Sequence, residues 1–222
     1  MRFLFGLVAF VALCVAGIQL MSRNAPTPAP LGDLLSIEAD PLEPERVTFA
    51  WRGAIDAPMA DAIEAAFADW RDKATVIVLD LHSPGGAVQE GDRVIKAIAR
   101  MRKSHRVHTY VGPGADCLSM CVPVYLQGEL RIAHETSRWM FHEPGAYDPL
   151  TGHRVDIYDS ERTQSEMDVY NRYFKPSKMN PAWRENMRDQ WRFGDIWKTG
   201  RQLKDERSNI IVVLERSEAA PR

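Results

Sequence analysis

Cysteine is scarce in this chain: there are three in 222 residues, and Cys14 lies in an apolar run near the start. The two others, Cys117 and Cys121, are too few for a structural zinc site, which takes four ligands. An excess of charge of one sign is missing as well. Twenty-eight Lys and Arg stand against thirty Asp and Glu, a formal net charge of −2. No basic run is interleaved with aromatics, which argues against a nucleic-acid surface. No internal repeat and no long low-complexity tract occurs. No cofactor motif or metal-ligand spacing is visible, and neither group is expected. Hydrophobic residues make up 45% of the chain, enough for one full core in a chain of this length.

What is present divides the chain into parts. Phe3 to Met21 carries no charged residue. It is long enough to cross a bilayer as a helix of about 20 residues, and it also resembles a secretory signal with a long apolar region. Ala16-Gly17-Ile18 is a poor cleavage site, and Cys14 follows Leu13 where a lipidation signal wants a small residue. The expectation for 1–23 is a transmembrane anchor or a signal peptide, the uncleaved anchor being favoured, with the chain membrane-anchored or exported and its bulk periplasmic. Residues 24–45, with Asn-Ala-Pro-Thr-Pro-Ala-Pro and Pro41 to Pro44, read as a proline-rich linker. The folded domain is expected over 46–216, with a flexible tail over 217–222.

Periodicity supplies the elements. Arg46 to Arg52 alternates like a strand, and Ala57 to Arg71 carries an apolar stripe at Met59, Ile63, Ala66, Phe67 and Trp70. Thr75 to Leu81 is a near-continuous apolar run, as expected for a strand buried on both faces. A helix is expected over Val88–Met101, a strand over Arg106–Val111, and a short helix near Ser119. Further strands are expected at Glu129–Ala133, Ser137–Phe141 and Asn209–Leu214, and further helices at Tyr158–Phe174, Pro181–Asp189 and Thr199–Asp205. This alternation predicts an α/β fold with βαβ units and a mostly parallel sheet.

The chemistry concentrates in a few segments. Gly114-Ala115-Asp116-Cys117-Leu118-Ser119-Met120-Cys121 presents one serine between two cysteines. Met140-Phe141-His142-Glu143-Pro144 places a histidine 23 residues later. Serine becomes a nucleophile when a base takes its proton, and the base needs a group that holds its tautomer. Ser119 and His142 suit the first two roles. Asp195 is the choice for the third, with Asp189 and Asp205 as alternatives. Two backbone N–H groups, from Gly86 in Ser83-Pro84-Gly85-Gly86 and from Met120, suit an oxyanion hole. The pattern points to acyl transfer, foremost peptide hydrolysis.

The bland readings compete with this one. Ser119 also suits a helix N-cap, His142 a structural histidine, and Asp195 a turn or cap. His82, His105, His108, His134 and His153 read as packing or surface residues. Trp183, Trp191 and Trp197 read as core or contact residues, and the cluster from Arg100 to Arg106 as a solvated helix end. Cys117 and Cys121, four apart across a turn, can meet the roughly 4.4–6.8 Å Cα separation of a disulfide. Inert thiols and redox or metal chemistry are the alternatives.

These segments, with Gly128-Glu129-Leu130-Arg131 between them, resemble the ClpP-type serine peptidases of the ClpP/crotonase superfamily. That family carries a Ser-Pro-Gly-Gly turn, a Ser-Met nucleophile turn and a Met-Ile-His-Gln-Pro segment in this order. The resemblance spans about residues 46 to 207. It implies Ser119 as nucleophile, His142 as base, Asp195 as orienter, and Gly86 and Met120 as oxyanion donors. It also implies a peptide or protein substrate and a homo-oligomer. Cys121 departs from it, standing where the family usually has glycine. No hydrophobic loop like the one that docks an unfoldase ring is seen, so ATP-driven degradation is not expected. Three other readings remain: a catalytically inactive ClpP-like module that binds peptides or scaffolds a membrane complex, a Ser/Lys peptidase using Lys96, and acyl-CoA chemistry, for which no nucleotide feature is visible.

Overall fold

The computed structural model describes residues 34–147, 154–155 and 159–217. The apolar run at 3–21 lies outside the described residues, and so do most of the linker's prolines and the end of the tail. Among the described residues no helix is long and apolar enough to cross a membrane.

The two longest strands of the main sheet bury alternate residues over most of their length. β2 (Arg46–Arg52) and β3 (Val76–His82) run parallel in full register, from Arg46 opposite Val76 to Arg52 opposite His82. β4 (Arg106–Val111), β6 (Arg131–His134) and β11 (Val213–Glu215) extend the sheet in parallel. β1 (Leu35–Ala39) closes the other edge antiparallel to β2. The order is β1-β2-β3-β4-β6-β11.

A second, three-stranded sheet has the order β10-β7-β5. It consists of β5 (Asp116–Leu118), β7 (Arg138–Phe141) and β10 (Ile196–Thr199). β5 runs parallel to β7, and β10 runs antiparallel to it. A two-stranded antiparallel ribbon, β8 (Ala146–Tyr147) with β9 (Arg154–Val155), follows. The fold is α/β as expected, with a mixed rather than mostly parallel sheet arrangement.

Helices α1 (Met59–Trp70) and α2 (Val88–Met101) pack on each other and on the main sheet. In α2 the buried residues Val94, Ala97, Ile98 and Met101 recur at three- and four-residue steps. In α1 the N–H of Ala60 donates to the buried Glu90 carboxylate at 2.8 Å, so α2 satisfies a first-turn donor of α1. α3 (Cys121–Tyr125) is short and fully buried. α4 (Asp159–Val169) continues into a π-helical turn (Tyr170–Phe174), then come α5 (Pro181–Trp191) and α6 (Gly200–Asp205).

Four expectations are corrected. Part of the expected linker is folded: β1 lies inside 24–45, and Asp40 closes the turn after it by accepting from the N–H groups of Leu42 and Glu43. β3 is buried on one face only. Ile77, Leu79 and Leu81 point into the core, while Val76, Val78 and Asp80 are half-buried and Asp80 pairs with Arg52. The last strand begins at Val213 rather than Asn209, because Arg131 takes the carbonyls of Asn209 and Ile210 and Asn209 adopts φ 56°. Ile196 to Thr199 is a strand, and the helix after it begins at Gly200 behind a Thr199–Gln202 capping box.

Candidate active site

Three chain segments meet where the second sheet approaches the end of β3. Just past β3, Ser83 donates its N–H to Asp116 at 2.7 Å and accepts from the N–H of Leu118 at 3.0 Å. The Ser83 hydroxyl also accepts from the Gly85 N–H at 3.1 Å, which tightens the turn. β5 is thereby held beside the Ser-Pro-Gly-Gly turn.

Both glycines of that turn are required by space. Gly85 adopts φ +93°, and a Cβ there would stand 2.6 Å from Ser119 Cβ and 2.7 Å from the Leu118 carbonyl. Gly86 adopts φ +155°, and a Cβ there would stand 2.4 Å from the Ile55 carbonyl. The Ile55 N–H donates to Gly85 at 2.7 Å, and the Ile55 carbonyl accepts from Ala87 at 2.9 Å. That ladder engages the residues on either side of Gly86. Among the described residues the Gly86 N–H donates no hydrogen bond, and neither does the N–H of Met120.

Ser119 follows β5 and precedes α3. Its φ is 51°, a left-handed conformation uncommon for a residue with a Cβ. Ser119 donates its N–H to Met140 of β7 at 2.9 Å, and its carbonyl accepts from Val122 at 3.0 Å. Cys117 and Cys121, both fully buried, are joined in a disulfide with a Cα separation of 5.1 Å. The bond brackets Ser119 two residues away on either side. The bulk of Cys121 and Pro123 is absorbed in the core, and among the described residues the Met120 N–H stays clear of backbone acceptors.

His142 follows β7 directly. Its Nε2 lies 2.6 Å from Ser119 Oγ. The strand partners β5 and β7 therefore deliver the serine and the histidine at their adjacent ends. Arg138 and Asp116, opposite one another in the parallel register, fasten the two strands through two contacts of 2.7 Å. This pair, 22 residues apart, has no local sequence signal that could have revealed it.

Asp195 is placed by register rather than by contact. β10 pairs Ile196 with Phe141, so the next positions along the two strands are Asp195 and His142. Asp195 is exposed, and among the described residues no hydrogen bond joins it to His142. Asp189 on α5 and Asp205 on α6 are exposed too and make no such bond. Lys96, the alternative base, makes no bond to Ser119 and lines a different cavity. No cluster of metal-ligating side chains occurs among the described residues. Of the other histidines, His108 and His134 are buried, His82 and His105 are at the surface or half-buried, and His153 lies outside the described residues.

The fold and the Ser119–His142 contact define a class: α/β proteins that present a serine–histidine pair at a strand-to-helix turn. The family follows from comparison. The Clp protease family profile matches residues 42–186, so the chain belongs to the Clp protease family and is a serine peptidase by that membership. The ATP-dependent Clp protease proteolytic subunit 1 of Chlamydia pneumoniae is 27% identical over 76% of this chain and 86% of its own. Its namesake from Chlamydia abortus matches to the same extent. Among solved structures, a point mutant of ClpP1 from Listeria monocytogenes superposes with a TM-score of 0.58 at 16% identity, covering 77% of this chain and 92% of its own. A serine-to-alanine mutant of the membrane-bound stomatin-specific protease 1510-N superposes with a TM-score of 0.57 at 16% identity, covering 76% and 78%. These two likenesses establish a shared fold.

Proposed function

We propose that this chain cleaves peptide bonds with Ser119 as nucleophile, His142 as general base, Asp195 as the group that orients His142, and the N–H groups of Gly86 and Met120 as the oxyanion hole. The single observation that carries the reading is the 2.6 Å contact of Ser119 Oγ with His142 Nε2. Ser119 Oγ attacks the scissile carbonyl carbon while His142 takes its proton. The carbonyl oxygen gains negative charge and turns toward the two N–H groups. One such donor contributes about 10²–10³-fold to kcat. His142 then returns the proton to the leaving amine, and water releases the acyl group by the same steps in reverse roles.

Family membership supports self-association into a homo-oligomer and a peptide or protein substrate. The apolar run at 3–21 supports attachment to a membrane or export across one. Hydrolysis of a fluorogenic peptide or a casein substrate tests the reading. Ser119→Ala and His142→Ala should each lower kcat by roughly 10⁴-fold or more, and Asp195→Asn by less. Undiminished hydrolysis by Ser119→Ala, after repurification, would overturn it. The turn geometry lends no support to an inactive module, since Cys121 and Pro123 leave the Met120 N–H clear.

A further inference from the structure

A cavity of about 540 Å³ opens between α2, the end of α3 and the segment after the π-helical turn. It lies within the roughly 300–1,000 Å³ range of small-molecule sites. Its walls carry five cationic side chains, Lys96, Arg102, Arg131, Arg172 and Lys178, and one carboxylate, Asp92. The carboxylate is already engaged: Arg172 donates to one oxygen at 2.8 Å and the Tyr173 hydroxyl to the other at 2.7 Å. The remaining four cations have no carboxylate within ion-pair distance among the described residues.

Arg131 is the most telling of them. It is only 2% exposed, and its guanidinium donates to two backbone carbonyls, of Ile210 at 2.8 Å and Asn209 at 2.9 Å. A buried guanidinium keeps its charge, and carbonyl dipoles alone leave that charge without a counter-ion. Lys96 and Lys178 stand exposed at the same cavity, and Arg102 donates only to the Gln127 carbonyl at 3.2 Å. Four like charges gathered around one space repel each other and draw an anion in. Guanidinium forks fit the planar pairs of oxygens on oxyanions, and ammonium groups add point charge.

We propose that this cavity is a binding site for a phosphate-bearing ligand, separate from the Ser119 site. The ligand's source is either a free phosphate compound or the phosphodiester headgroup of a lipid, and the two share the chemistry the cavity reads.

Titration calorimetry on the full chain in detergent micelles tests this, with pyrophosphate for the free source and glycerophosphoglycerol for the headgroup. Sodium chloride at matched ionic strength is the blank. Lys96→Ala/Lys178→Ala removes two exposed charges, so folding should be kept, and an unchanged melting midpoint without ligand checks it. The expected result is saturable binding of at least one probe, weakened tenfold or more in the double variant. Tighter binding of pyrophosphate assigns a free phosphate compound, and tighter binding of the diester assigns a headgroup. Heats no larger than those of chloride for both probes, or binding that the double variant leaves unaltered, overturn the proposal.

Discussion

At the scale of single residues, the site depends on two positions without a side chain. Gly85 sits with its Cα against the nucleophile, so Gly85→Ala forces a contact of 2.6 Å on Ser119 Cβ at a φ of +93°. The atoms that must yield are the backbone of β5 and the serine itself, not the end of a flexible side chain. Gly85→Ala is expected to lower kcat by about 10²-fold or more, equivalent to roughly 2.7 kcal/mol. Steady-state kinetics beside circular dichroism checks it, and a folded variant of normal activity would refute the packing argument. His108 gives a second prediction. It is 4% exposed with its Nδ1 unpartnered among the described residues. Burial first, and the Arg106 charge second, hold its pKa below the ordinary histidine value. The folded state thus keeps His108 neutral, while the unfolded chain takes up a proton near pH 6.5. Stability from this residue is present above that pH and is lost as pH falls toward the lowered folded value. Urea midpoints measured from pH 7.5 to 5.5 should fall, and His108→Gln should flatten that slope.

At the scale of elements, the disulfide closes a five-residue segment around Ser119. The chain-entropy relation gives about 2 kcal/mol for so short a loop. Cys117→Ser/Cys121→Ser should lose about that much in urea denaturation and should also lose activity, because the left-handed Ser119 loses one of its restraints. Equal stability of the double variant and the parent would contradict the brace. Elements differ in how far their sequence foretold them. α2 runs over Val88–Met101 as expected, since its stripe of buried residues is long and regular. β5 has three residues, and its strand character comes from pairing with β7 across 22 residues, which no local period records. β1 is an edge strand with four of five residues exposed, so it lacks the apolar alternation that announces a strand. The Ser119–His142 pair was legible through the two motifs that carry it. Asp195 stands beside His142 only by the register of β10 with β7, and no local pattern in the sequence records its distance from that ring, which depends on how the two strands end.

At the scale of the whole molecule, membership of the Clp protease family places the chain among self-assembling peptidases, and self-association is the expectation for it. Light scattering on the purified chain should give a multiple of 25.2 kDa after subtraction of bound detergent. A stable single chain at working concentration would remove the oligomer from the account. Ser119 is proposed as a nucleophile activated by His142. The test is the intact mass and peptide map of the folded protein after exposure to a fluorophosphonate. One adduct per chain is expected, on Ser119, absent from Ser119→Ala and formed far more slowly by His142→Ala. Labelling of a different residue, or no labelling of a protein shown to be folded, would contradict it.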